Sequence, residues 1–194
     1  MRLSVLIPTM PERRSLLSRM LHSLMQPGLN DSFEILVHQG DCGLGEKVNR
    51  MVDHADGSHV VIVDDDDWIA ADYISSIIDY EEDSVGYRLV CMVDGRYADT
   101  IEHDAAFNEW PAHGWPSQRR RGISQKCPVR RDLAAQVAYT DDYMDDCVWS
   151  RTVQQLVGSH TFVDKDLYFY DYRNRDRSRS VGWWPYDKSA IRWL

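Results

Sequence analysis

Apolar positions along this chain switch repeatedly between two rhythms. Residues 3–7 form a short apolar run that ends at Pro8-Thr9, as a buried strand does. Beyond it, Leu16, Leu17, Met20, Leu21, Leu24 and Met25 recur at helical spacing. That spacing predicts an amphipathic helix beginning near Pro11 and stopping before Pro27-Gly28. A second strand is predicted at 33–37. A loop with Gly40, Gly43 and Gly45 follows, then a helix carrying Val48, Met51, Val52 and Ala55, then a third strand at 59–63. Strands and helices alternating in this way argue for an α/β fold with a mostly parallel sheet and right-handed crossovers.

The rhythm changes after a further helix at 73–80. Residues 85–93 and 96–101 flank Asp94-Gly95, a favoured two-residue turn, so a small antiparallel hairpin is expected. Residues 104–122 read as a long loop, a feature often tied to function. Helical spacing returns at 130–138 and 145–157, and 167–172 reads as a last strand. A charged stretch at 173–180 and an aromatic tail with Trp183, Trp184, Tyr186 and Trp193 follow. With no internal repeat or linker, 194 residues fit one domain, 1–194.

The third strand runs straight into Asp64-Asp65-Asp66-Asp67. Four adjacent carboxylates repel one another unless something offsets their charge, and a hard divalent cation with oxygen ligands is a natural partner. If strand geometry continued, Asp64 and Asp66 would point the same way. Their place matters too, because open α/β sheets bind ligands beyond the carboxyl ends of their strands. The bland alternative is a solvated acidic turn capping the next helix. An EF-hand starting at Asp64 fails, since Ile69 and Ser75 stand where Gly and Glu are needed. There is no phosphate-binding GxxxxGK[ST] motif, and Gly43-Leu44-Gly45 lacks the third glycine of a dinucleotide fingerprint.

Composition narrows the partners. The net charge of -9 and pI of about 5.2 argue against direct nucleic-acid binding. Cys42, Cys91, Cys127 and Cys147 form no CxxC pair, so a zinc ribbon is excluded, and such scattered thiols suit a cytoplasmic protein. No segment is apolar for long enough to span a membrane.

Taken together, residues 3–13 (LSVLIPTMPER), 45–49 (GEKVN), 60–68 (VVIVDDDDW) and the later 145–150 (DDCVWS) resemble a family 2 glycosyltransferase with the GT-A fold. The resemblance implies a nucleotide-sugar-binding half at 1–103 and an acceptor and catalytic half at 104–194. It also implies that Pro8, Thr9, Arg13, Lys47, Asp64 and Asp65 bind the donor, with Asp41 filling the base-binding role after the second strand. Asp66, with Asp64, would hold Mn²⁺ or Mg²⁺. Asp146, or its neighbour Asp145, would be the general base that takes a proton from the acceptor hydroxyl. Without the resemblance, Lys47 and Arg13 read as exposed helix residues, and Asp145-Asp146 reads equally well as a favourable charge pair at a helix start.

Three departures stand out. Val37-His38-Gln39-Gly40-Asp41 lacks the family's usual early Asp, Asp145-Asp146 replaces a Glu-Asp pair, and Tyr172-Arg173-Asn174-Arg175 lacks the late His. His22 falls beside the apolar face of the first helix and reads as structural, and His103, His113 and His160 show no metal-ligand spacing. Arg119-Arg120-Arg121 could clamp phosphate but fits a solvated charge run equally well. Trp110, Trp115, Trp183 and Trp184 could stack on a sugar or pack in the core. The expected partners are a nucleoside-diphosphate sugar, UDP-linked, and a glycan, lipid-linked or protein acceptor. A nucleotidyltransferase of related fold and a non-catalytic nucleotide-sugar- or metal-binding module are the competing readings.

Overall fold

Seven consecutive buried residues, Leu3–Thr9, make up β1. A strand buried on both faces belongs in the interior of a sheet covered by helices on each side. The computed structural model describes residues 2–25, 32–109, 119–142, 145–172 and 191–193. Its helices are α1 (Arg14–Leu24, after a tight turn at Pro11–Arg13), α2 (Leu44–His54), α3 (Tyr73–Ile77), α4 (Arg131–Ala134) and α5 (Asp145–Gln154). The other strands are β2 (Phe33–Gln39), β3 (His59–Ile62), β4 (Trp68–Ile69), β5 (Ser84–Val93), β6 (Arg96–His103), β7 (Arg120–Arg121), β8 (Val129–Arg130), β9 (His160–Tyr172) and β10 (Ile191–Trp193).

Among the described residues these strands join in one sheet ordered β10-β2-β1-β3-β8-β5-β6-β7, with β9 also beside β5 and β4 beside β9. β10, β2, β1 and β3 run parallel, so β1, β2 and β3 end on the same edge. Side chains alternate across this sheet as a strand requires. Leu3, Val5 and Ile7 pack with Leu17, Met20 and Leu21 of α1 and with Tyr73, Ile74 and Ile77 of α3. Leu6 and Leu36 pack on the other face, with Val48 and Met51 of α2 and Trp149 and Val153 of α5.

The predicted α/β fold, with its mostly parallel sheet, flanking helices and antiparallel hairpin, is present. In the hairpin, Asp94 and Gly95 both adopt positive φ (48° and 75°), as a primed turn demands. Several boundaries differ from expectation. The helix expected at 130–138 shrinks to α4: Arg130 pairs antiparallel with β3 instead, and past Ala134 the chain closes in turns, with the Gln136 and Val137 N–H groups donating to the Leu133 and Ala134 carbonyls. Within the expected loop 104–122, Arg120 and Arg121 pair parallel with β6. The last predicted strand begins earlier, at His160, and runs parallel with β5. No helix among the described residues is long and apolar enough to cross a membrane, and all four cysteines are free.

His103, the last residue of β6, is buried, and its Nδ1 donates to the Gly122 carbonyl at 2.8 Å. Burial holds its pKa down at about 4, against 6.5 for an exposed imidazole. As pH falls from 6.5 towards 4, the unfolded chain takes up a proton that the folded chain refuses. Stability is therefore lost in that window, by roughly 3 kcal/mol at most for this group. Urea unfolding at pH 7 and pH 4.5 should show a smaller acid loss in His103→Asn than in the wild type. An equal loss would place the acid sensitivity elsewhere.

Candidate active site

β3 ends at Ile62, and the chain turns just beyond it, with the Asp67 N–H donating to the Asp64 carbonyl at 3.4 Å. The four aspartates still alternate between interior and surface. Asp65 and Asp67 side chains are buried, at 1% and 2% exposure. Those of Asp64 and Asp66 are partly open, at 34% and 17%.

Each buried carboxylate meets partners from distant elements. Thr9 at the end of β1 donates its hydroxyl to Asp65 at 2.6 Å, and Arg13 Nη1 donates to the other oxygen at 2.8 Å. The second Arg13 nitrogen stands 3.6 Å from Asp66. Asp67 accepts from the Tyr168 hydroxyl at 2.8 Å, and Lys126 Nζ lies 3.4 Å away. Lys126 also donates to Asp64, whose backbone N–H donates to the Tyr168 hydroxyl at 3.2 Å. Arg19 binds the carbonyls of Asp66 and Asp67 at 2.8 and 3.2 Å while its guanidinium covers the Trp68 ring.

The charges are set by this competition between burial and pairing. Burial raises the Asp65 pKa, against the pull of Thr9 and Arg13. Burial also pushes Asp67 up to about 7, with Lys126 opposing. Lys126 is itself buried, which disfavours its charge, but Asp64 and Asp67 outweigh that and hold it as an ammonium. Its position is fixed from behind. The Lys126 carbonyl accepts from Tyr87, and from Tyr73 at 3.4 Å, and those two rings meet edge-on with centroids 5.8 Å apart. Arg13 and Lys126 thus supply part of the counter-charge of the acidic run from the protein itself.

Two cavities meet at this run. The first, of about 520 Å³, is lined by Pro8, Thr9, Arg13, Asp41, Lys47 and all four aspartates, among others. Lys47, which would read as exposed from helix spacing alone, is buried and donates to the Thr9 carbonyl at 2.9 Å. Arg13 likewise turns inward to the acids. The second cavity, of about 410 Å³, is lined by Asp145, Asp146, Lys126, Arg121, His103 and Tyr139, among others. Leu44, Asp64 and Tyr170 line both cavities. Every residue that the resemblance assigned to the donor therefore lines one cavity, and both acids assigned to the acceptor line its neighbour.

Asp145 and Asp146 occupy the first turn of α5. Asp145 accepts from the Asp146 N–H at 2.6 Å, and Asp146 from the Cys147 N–H at 2.8 Å. The helix-start role and a place on the cavity wall coexist. Burial raises the Asp145 pKa.

A divalent ion would find a partial site here. Among the described residues no three His, Cys, Asp or Glu side chains converge as a metal cage. Asp66 and Asp64 do reach the first cavity with their side chains partly open. Such a pair suits an ion that takes its remaining ligands from a bound diphosphate and water, as Mg²⁺ commonly does.

Sequence reasoning missed Lys126, Tyr168 and Tyr170. For the tyrosines a signal existed: they sit two apart in a predicted strand and so share one face. Lys126 carried the weaker signal of a lone cation in the otherwise uncharged stretch 123–129. Of the remaining candidates, Arg121 lines the second cavity, whereas Arg120 pairs with Glu102 at 3.1 Å. His160 pairs with Asp104 at 2.9 Å. Trp110, Trp115, Trp183, Trp184, His113 and residues 173–180 lie outside the described residues.

The mixed sheet, with helices on both faces, has a GT-A-type fold. Solved structures similar to it include residues 1–349 of S. aureus TarS, at a TM-score of 0.62 and 17% identity over 88% of this chain and 60% of that one. The same fragment in complex with UDP-GlcNAc gives a TM-score of 0.63 and 16% identity over 94% of this chain and 62% of that one. In complex with UDP the values are 0.60 and 16%, over 89% and 61%. This chain therefore spans less than two thirds of those TarS chains, and at such identity the likeness is one of fold. No protein-family model and no curated protein matches the sequence.

Lys126 yields a direct stability prediction. Lys126→Met should cost about 3 kcal/mol, because it removes the buried cation shared by Asp64 and Asp67. Adding Asp67→Asn should restore part of the loss, by removing the stranded carboxylate. Denaturant unfolding of the three proteins checks this, and a loss below about 1 kcal/mol in the single variant would mean that Lys126 is not the counter-charge.

Proposed function

We propose that this protein is a glycosyltransferase of the family 2 type. It would move a sugar from a UDP-linked donor to a hydroxyl on a glycan, lipid-linked or protein acceptor, with inversion at the anomeric carbon. The observation that carries this reading is the pair of cavities joined at Asp64, one walled by the acidic run and the other by Asp145-Asp146. A donor diphosphate would lie in the first cavity beside Thr9, Arg13 and Lys47, with Asp41 towards the base. The sugar's anomeric carbon would then stand at the junction, open to attack from the second cavity. The TarS structures with UDP-GlcNAc and UDP show such ligands on a similar fold, which supports the choice of donor class.

Chemistry at the junction needs one proton acceptor. Asp146, with Asp145 as its alternative, takes the proton from the acceptor hydroxyl as that oxygen bonds to the anomeric carbon. The carbon–oxygen bond to the diphosphate breaks on the opposite side, and its electron pair leaves with the diphosphate oxygen. Attack and departure on opposite faces invert the centre. Asp66 and Asp64 would hold Mn²⁺ or Mg²⁺, which, when bound, neutralises charge developing on the leaving group. The acid excess of the donor cavity supports a cation that arrives with the diphosphate.

Two measurements test the reading, with UDP-GlcNAc as probe and water replacing the unidentified acceptor. Asp146→Asn should lower kcat by about 10²- to 10⁴-fold while the Kd for UDP stays unchanged. Weakened UDP binding with intact turnover would remove Asp146 as the base. Asp66→Ala should abolish the Mn²⁺ dependence of UDP binding in calorimetric titrations, and if metal-dependent turnover survives it the metal assignment is wrong.

A further inference from the structure

The helix that serves the donor cavity also holds the loop that leads to the acid pair. α2 carries Lys47 towards the end of β1. Gly45 and Asn49, one helical turn apart and two residues to either side of Lys47, share a different face. On that face the Gly45 N–H donates to Asp141 Oδ1 at 2.7 Å. Asn49 makes a reciprocal pair with the backbone of Tyr139. Its Nδ2 donates to the Tyr139 carbonyl at 2.9 Å, and its Oδ1 accepts from the Tyr139 N–H at 2.9 Å. A carboxamide is well suited to this double role, since it offers a donor and an acceptor side by side. The approach is tight enough to exclude a side chain at position 45, where a Cβ would stand 2.6 Å from the Tyr139 carbonyl oxygen and 2.8 Å from that of Thr140.

The loop is in turn locked to α5. The Trp149 Nε1–H donates to the Val137 carbonyl at 3.0 Å, and the Trp149 ring packs on Tyr139 with centroids 5.9 Å apart. The Asp145 N–H donates to the Asp142 carbonyl at 3.1 Å. An unbroken set of contacts therefore runs from α2 through Asn49, Tyr139 and Trp149 to the helix whose first turn carries Asp145 and Asp146. Asn49 lines neither cavity, so it reaches the chemistry only through this chain of contacts.

We propose that Asn49, seconded by the Gly45–Asp141 bond, is a positioning residue that sets the acid pair relative to the donor-binding helix. This rests on the reading of Asp145-Asp146 as the acceptor-side acids. Two hydrogen bonds anchor the backbone of one residue, Tyr139, so their loss lets α5 drift while leaving the donor cavity built. A misplacement of the base on the order of 1 Å is enough to cost roughly 100-fold in rate.

The test compares the wild type, Asn49→Ala and Asn49→Asp, the last keeping the acceptor oxygen and losing the donor. Asn49→Ala should leave the Kd for UDP within about twofold and lower kcat for UDP-GlcNAc hydrolysis by roughly 10- to 100-fold, with Asn49→Asp in between. In an Asp146→Asn background, Asn49→Ala should add little further loss, because residues acting as one unit are not additive. Amide hydrogen exchange should quicken at 145–150 in Asn49→Ala. Unchanged exchange there, an equal loss in UDP affinity and kcat, or a full additive loss on top of Asp146→Asn would each overturn the proposal. If the wild type hydrolyses no UDP-sugar, the functional reading fails, and the exchange comparison still decides whether Asn49 sets α5. Should Asn49→Ala not fold, Asp141→Ala at the exposed end of the clamp takes its place under the same criteria.

Discussion

Two carboxylates turned into the protein interior organise this structure. A buried ionised acid is tolerated only with strong partners, and Asp65 and Asp67 draw theirs from separate parts of the chain. Thr9 comes from β1 and Arg13 from the turn after it. Lys126 comes from the loop before β8 and Tyr168 from β9. Satisfying the inward pair fixes where the outward pair, Asp64 and Asp66, can be. The site is thus a by-product of how two of the four charges are neutralised.

This explains why strands far apart in sequence converge at one edge of the sheet. β1 and β3 arrive there by the usual parallel crossover, with helices on either face. β9 arrives by pairing with β5 and β4, and its alternation presents Tyr168 and Tyr170 to the acids. The two tyrosines divide the work. Tyr168 binds Asp67 and the Asp64 N–H, whereas Tyr170 walls both cavities beside Asp64. α2 then closes the other side, with Lys47 on the Thr9 carbonyl and Leu44 on the wall shared by the cavities.

The first half of the fold was legible because its signals are local. An apolar run ending at Pro8-Thr9 and helical spacing from Leu16 depend on neighbours in sequence, and both elements appear as read. The clustering of the aspartates at the end of a strand was legible for the same reason. Their partners were not, since the Lys126–Asp67 pairing spans 59 positions and leaves no periodic trace. α4 was overestimated because Arg130 joins the sheet and the chain beyond Ala134 closes in turns towards Tyr139, which Asn49 holds, a tertiary override of local preference. Lys47 and Arg13 show the opposite case. Spacing alone makes them surface residues, and only the resemblance carried by residues 3–13, 45–49 and 60–68 suggested otherwise.

A net charge of -9 disfavours a diphosphate ligand in sum, but the local arrangement matters more. The donor cavity is lined by Glu12, Asp41 and Asp64–Asp67 against Arg13 and Lys47. Arg13 is already committed to Asp65 and leans on Asp66, and Lys126 sits on the far side of Asp64, in the other cavity. A diphosphate entering alone would therefore add negative charge to a surface that is already acidic, at separations where Coulomb repulsion is only partly screened. Entering with a divalent cation would reverse the sign of that interaction at Asp66, the more open of the two aspartates in the run not held by Lys126. On the proposed reading, the same acids that would repel a bare nucleotide would favour its metal-bound form.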